Sequence, residues 1–216
     1  SGTVHATGNI DIADRAGAAT QAVTNSGTLL TDQALVLQAA NMANTAAGRV
    51  QANTGSTVAA SKLDNVGIWL LSQQGGATDT VSVTNTLTNS GTLQSAGSET
   101  LTADQITNTG TLIAEGNLSA NVTSSLDNKA TGVVQAGQQL AVHGAGAALT
   151  NAAGGKMLGD GLAIDVASID NSGTLQGGTR ADSMVSAATT LTNRTTGVLS
   201  VATASGGAGT VAATTL

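Results

Sequence analysis

Histidine is the side chain best suited to proton transfer near neutral pH, and the chain has it at only two positions, His5 and His143. A general base, or a metal centre, needs such groups gathered in one place. No Ser carries the base and orienting acid that nucleophilic catalysis requires. Three carboxylates, Asp64, Asp127 and Asp170, stand at one repeated phase, each directly before an Asn. Thr or Ala holds that phase elsewhere, so they do not build an acidic groove. The stretch "GGKMLGDG" at 154–161 is only loosely similar to a calcium-binding nonapeptide: the Gly-Gly-x-Gly-x-Asp spacing is missing and no second copy accompanies it. "GAGAAL" at 144–149 lacks the third Gly of a dinucleotide fingerprint. Sequons stand at Asn117, Asn121 and Asn193. No catalytic, cofactor-binding or metal-binding residue is assigned, and the expectation is a protein that is not an enzyme and needs no cofactor.

The elements that would have to position any chemistry are repeats. An apolar residue, one intervening residue and an Asn recur with the Asn at 25, 44, 65, 89, 108, 128, 151, 171 and 193. The spacing runs from 19 to 24 residues and averages 21. The residue two before the Asn is Val23, Met42, Leu63, Leu87, Ile106, Leu126, Leu149, Ile169 or Leu191, never polar. A Gly follows after two residues (Gly27, Gly67, Gly91, Gly110, Gly173) or after four (Gly48, Gly132, Gly155, Gly197), and an apolar residue returns two beyond it. These read as a short and a long form of one turn, with Gly supplying positive backbone angles and Asn tolerating them. A third apolar pair, such as Leu35 and Leu37 or Leu162 and Ile164, completes each unit. Each unit is therefore about three short strands.

Composition narrows the architecture. Charged residues are 9 % of the chain, hydrophobic residues 40 %, and the aromatics amount to one Trp. The core must be built from aliphatics, and the chain is not a disordered polyampholyte. Frequent Gly, Asn and β-branched residues break a helical reading. In a strand, residues i and i+2 share a face, so the apolar residue and the Asn of "LTN" or "IDN" point inward together. That alternation predicts an all-β fold, a parallel β-helix of about ten coils with one repeat per coil, forming one elongated domain over 1–216. Stacked coils align the Asn side chains, and a stacked amide donates to one neighbour and accepts from the other. The nine Asn are thus read as a structural ladder.

Thirteen carboxylates against seven basic residues give a net charge of −6, without a basic stripe for nucleic acid. No run of eighteen apolar residues is present to insert this segment into a membrane. Absence of Cys suits a cytosolic chain and equally one that crosses an outer membrane unfolded. Neither end resembles a capping unit, so the expectation is a segment of a longer array, with Ser1-Gly2 also compatible with a cloning remnant.

"LTNSGTLQSAGSETLTA" at 87–103, "ITNTGTLIAEGNLSA" at 106–120 and "IDNSGTLQGG" at 169–178 resemble the repeats of filamentous haemagglutinin and related large exoproteins of two-partner secretion. Contact-dependent growth-inhibition toxins share that shaft. The resemblance covers nearly the whole chain. It implies a right-handed β-helical shaft that Gram-negative bacteria export through a dedicated outer-membrane transporter, displayed on the cell surface or secreted, in adhesion and virulence. Its partner would be a receptor on a host or bacterial cell. The amino-terminal secretion signature, a toxin-like carboxy-terminal region and an Arg-Gly-Asp tripeptide are not found, so shaft is expected, holding a distal element away from the cell.

Two alternatives belong to other classes. A β-helical polysaccharide-active enzyme or glycan-binding module needs a charged cleft with aromatic platforms, for which one Trp and dispersed basic residues are poor material. An ice-binding face needs Thr-x-Thr pairs at one phase, and here the phases shift. Function in a solenoid usually sits on irregular coils, which points to 72–80, 143–148, 177–182 and 204–209, although tolerated length variation explains them equally. "GIWLL" at 67–71 is apolar on both faces. With Trp69 and Leu71 inward, Ile68 and Leu70 face outward. They are either a partner contact or a patch covered by the 72–80 loop.

Overall fold

The computed structural model describes residues 2–13, 21–180, 183–201 and 209–215. Ser1 and Leu216, on which part of the reading of the ends rests, lie outside the described residues, as do 181–182 and most of the 204–209 stretch. The described chain is all-β, and every strand pairing is parallel.

One sheet stacks ten short strands: β1 (Thr3–Ala6), β4 (Thr28–Thr31), β6 (Arg49–Ala52), β8 (Ile68–Ser72), β10 (Thr92–Ser95), β12 (Thr111–Ala114), β14 (Val133–Ala136), β16 (Lys156–Gly159), β18 (Thr174–Gly177) and β20 (Val198–Val201). The other stacks longer ones: β2 (Ile10–Ile12), β5 (Ala34–Asn44), β7 (Gly55–Asn65), β9 (Thr78–Asn89), β11 (Ser98–Asn108), β13 (Leu118–Asn128), β15 (Gln139–Asn151), β17 (Gly161–Asn171), β19 (Met184–Asn193) and β21 (Thr210–Thr215), with β3 (Ala22–Asn25) beside β5. The chain is a β-solenoid of about nine turns, one short and one long strand to each. At about 4.8 Å between strands, the ten-stranded sheet extends roughly 45 Å.

Strands alternate because the sequence alternates. Three of the inward columns along the rod are apolar throughout. The first runs Leu29, Val50, Trp69, Leu93, Leu112, Val134, Met157, Leu175; the second includes Leu37, Val58, Val81, Leu101, Ala120, Val142 and Ile164; the third, Met42, Leu63, Leu87, Ile106, Leu126, Leu149 and Ile169, ends beside the ladder Asn. The second and third columns share the long strand, and in most coils a register irregularity separates them, such as that between Ala103 and Gln105. The three strands expected per coil are thus one short strand and the two arms of a long one.

The turn glycines are required for a different reason from the one the sequence suggests. Positive backbone angles occur at Gly76 and Gly154, and at Gly55 near the upper limit of that region, but at none of the nine repeat glycines. What those nine lack room for is a Cβ. A Cβ on Gly91 would stand 2.0 Å from the Gly67 carbonyl oxygen, and one on Gly110 would stand 2.1 Å from that of Gly91. In the longer turns the obstruction is the ladder itself, with the Asn44 Oδ1 at 2.2 Å from a Cβ on Gly48. Coils close to hydrogen-bonding distance at this corner, as in Thr92 N–H to Gly67 O at 2.9 Å and Thr111 N–H to Gly91 O at 2.8 Å, and a methyl group would wedge them apart.

Gly91→Ala should therefore lower stability by about 1–3 kcal/mol, the cost of overpacking. Gly75→Ala, whose Cβ would meet nothing nearer than Ala96 O at 3.9 Å, should stay within about 0.5 kcal/mol. Denaturant melts followed by circular dichroism compare the two.

Candidate functional site

Two features stand out from the uniform coils: a polar spine inside the rod and an apolar spot outside it. The spine begins with the Asn ladder. Nδ2 of Asn25 donates to Oδ1 of Asn44 at 2.9 Å, and the same bond continues through Asn65, Asn89, Asn108, Asn128, Asn151 and Asn171 to Asn193 at 2.7–2.9 Å. Each Nδ2 up to Asn171 also donates to a backbone carbonyl at the start of the next coil's short strand, as Asn65 does to Thr92 O at 2.9 Å. The six Asn from Asn44 to Asn151 and Asn171 are buried, while Asn25 is half-buried and Asn193 exposed. Two donors and an acceptor are satisfied per amide, so the group that would be costly to bury instead joins neighbouring coils.

The second part of the spine is not assigned by the sequence reading. At the inward phase where β5, β13, β15 and β17 carry Leu35, Leu118, Leu140 and Leu162, β7 carries Ser56, β9 carries Asp79 and β11 carries Glu99. Asp79 and Glu99 are in register on adjacent strands and at most 1 % exposed. The backbone N–H of Ser56 donates to Asp79 Oδ1 at 2.6 Å, and the Ser72 hydroxyl donates to Oδ2 at 2.5 Å. Ser72 lies 3.3 Å from Ser95, oxygen to oxygen, and Ser56 donates to Leu71 O at 2.6 Å. Neither oxygen of Glu99 has a hydrogen-bond partner. Burial, and then the charge of Asp79, push its carboxyl well above the usual range. The signal was present in the sequence as "TDT" and "SET", each with an acid two residues before an inward aliphatic.

The 72–80 stretch is accordingly less of a loop than expected: Ser72 closes β8, Asp79 lies in β9, and only residues 73–77 are outside strands. It does not cover the apolar spot. Ile68 is 42 % exposed, and Val66 in the preceding turn is equally so, while Leu70 is half-buried. The register explains the difference. Leu70 belongs to an outward column that alternates aliphatic and amide residues, Leu30, Gln51, Leu70, Gln94, Ile113, Gln135, Leu158, Gln176. An aliphatic flanked by Gln on both sides is partly screened by their methylenes. Ile68 stands between Arg49 and Thr92.

The remaining candidates do not converge. His5 Nε2 lies 3.0 Å from Asp32 Oδ1 at the surface, and His143 is exposed in β15, in register with Asn121 and Asp165. Asp64 and Asp127 lie on one outward column with Thr88 and Thr107 between them, and Asp170 lies beyond Thr150. Asp170 is held by a two-pronged ion pair with Arg194, with the Nε to Oδ1 arm at 2.6 Å. In the 154–161 stretch, Asp160 Oδ1 accepts from the backbone and hydroxyl of Thr179, both at 2.9 Å, which closes a turn. No group of three or more His, Cys, Asp or Glu placed to hold a metal ion occurs among the described residues. The 143–148 stretch is a strand interior, and 178–180 of the 177–182 stretch is a turn. A groove of about 300 Å³ over β14, β16 and β18 is lined by Gln135, Leu158, Asp160 and Gln176, without a basic or aromatic residue.

Comparison with protein-family models, curated proteins and solved structures returned no match.

Asn108→Ala removes an acceptor from Asn89 and a donor from Asn128 while opening a small cavity; it should cost about 2–4 kcal/mol, with unpaired buried groups dominating. Asn193→Ala, at an exposed position, should cost less than about 1 kcal/mol. Thermal melts of the two variants against the parent provide the comparison.

Proposed function

We propose that this chain is a structural and adhesive shaft segment of a large secreted bacterial surface exoprotein, holding a distal binding or toxic element away from the cell and adding a contact of its own at Val66, Ile68 and Leu70. The observation that carries the reading is continuity. The Asn ladder and both sheets pass through successive coils without interruption. Bending the rod at any junction must break several hydrogen bonds together, which is the mechanical property a spacer needs. The resemblance of the repeats to two-partner-secretion exoproteins supports the export route, a dedicated outer-membrane transporter, and the bacterial surface as the site of action.

The apolar spot supports the adhesive part. Val66 and Ile68, two residues apart, are each 42 % exposed, and exposed aliphatics of this kind suit contact with a partner better than solvent. Inward residues are unaffected by changes there, because Trp69 and Leu71 are fully buried on the opposite face.

Labelled folded protein should bind host or bacterial cells saturably at physiological salt, above a shaft of unrelated surface. Ile68→Ser/Leu70→Ser should weaken that binding by tenfold or more while lowering stability by no more than about 2 kcal/mol. Absence of binding to either cell type would remove the adhesive part and leave the spacer. Depolymerisation of any member of a polysaccharide panel would replace the reading with a β-helical enzyme.

A further inference from the structure

Most of the molecule's interior is aliphatic, and apart from the unpartnered indole N–H of Trp69 its other buried polar side chains are neutral amides in a ladder or hydroxyls with partners. Asp79 and Glu99 depart from that rule in the middle of the rod. They occupy one inward column on neighbouring strands, where a one-strand spacing brings the two acids close. Their treatment differs. Asp79 takes hydrogen bonds from Ser56 N–H and Ser72 O–H, one on each oxygen. Glu99 takes none. Its backbone is fixed by the N–H donated to Asn117 O at 2.8 Å, and its other in-register neighbour is Leu118.

No basic residue is buried among the described residues, so no cation compensates a second negative charge. The polar side chains buried around the pair are Ser56, Ser72 and Ser95, all hydroxyls, and β13 contributes only Leu118 at this phase. Two adjacent buried carboxylates cannot both ionise without a large penalty, and Glu99 is the one that no donor reaches. A bound cation would need several oxygens turned toward it. Here the Ser72 hydroxyl and the Ser56 N–H already direct their hydrogens at Asp79, so a proton fits the arrangement where a metal ion does not.

We propose that Glu99 is a proton-operated lock on the middle of the rod: it is a neutral acid in the folded chain, and when it loses that proton the coils of β9 and β11 open before the ends do. The direction of the pH effect follows from which state holds the proton. An unfolded Glu titrates near pH 4.3, whereas the buried carboxyl holds its proton to higher pH. Below about pH 4 both states of Glu99 are protonated and the group takes nothing from the stability of the folded rod. As pH rises above that, the unfolded chain releases a proton that the folded chain keeps, and stability falls until the folded carboxyl itself ionises. Opening would begin internally because the charge is confined to one column of two adjacent coils, while a solenoid otherwise frays from coils that have a single neighbour. The inference concerns stability alone and does not depend on the shaft reading.

Glutamate occurs only at Glu99 and Glu115, so the full chain labelled with carboxyl-¹³C glutamate gives two resonances, and exposed Glu115 serves as internal reference. The expected result is that Glu99 remains protonated well above the usual carboxylate range. Thermal melts across pH 4–9 should show the parent's folded-to-unfolded ratio dropping by up to tenfold per pH unit above about pH 5 relative to Glu99→Gln. The two should converge near pH 4, and hydrogen exchange at pH 8 should deprotect β9 and β11 of the parent ahead of β17 and of the end strand β21. Two carboxyls titrating together, or parallel melting profiles for parent and Glu99→Gln, would overturn the proposal. Should Glu99→Gln not fold, the labelled parent decides alone.

Discussion

Everything in this molecule depends on neighbouring coils lying one strand spacing apart around their whole circumference. Along the strands that distance is set by parallel backbone hydrogen bonds, which any sequence lacking proline can make. At the corner it is set by side chains, or by their absence. The glycine of each turn lets one coil's backbone rest on the carbonyl of the coil before it, and the neighbouring Asn ties the same corner with amide bonds. The two residue types are one device: the first permits contact and the second fastens it.

Much of this was legible in the sequence, for a physical reason. A solenoid converts sequence period into spatial stacking, so residues such as Leu63, Leu87 and Ile106 that share a phase share a column. Alternation gave the inward side of "LTN" and "IDN" without knowledge of the turn. Phase was misleading where chemistry other than register decides. The repeat glycines suggested positive backbone angles, as turn glycines commonly do, yet the conformations at Gly91 and Gly110 are ordinary and crowding is what excludes a side chain. Sequence period carries no direct information about interatomic clearance.

Asp79 and Glu99 are harder to read from the sequence, because acidic residues are rarely buried. Their columns can be counted from "VSV" and "LTA" as surely as those of the aliphatics, but a carboxylate at an inward phase conflicts with the expectation that buried charge is avoided. The conflict was itself the signal. Likewise, Leu70 read in isolation looked like an exposed aliphatic, and only the register of eight strands reveals that aliphatics alternate with glutamines along that face.

The amide ladder has a direction. Every Nδ2 from Asn25 to Asn171 points toward the carboxy-terminal neighbour, and every Oδ1 from Asn44 onward receives from the amino-terminal one. The aligned dipoles make the rod vectorial. A coil arriving at a growing stack finds a donor on one side and an acceptor on the other, and it can dock one way up. Inverted, it would set donor against donor. Assembly of the shaft is thus polar in the sense that a filament is polar, and the arrow is written in the orientation of a row of side-chain amides.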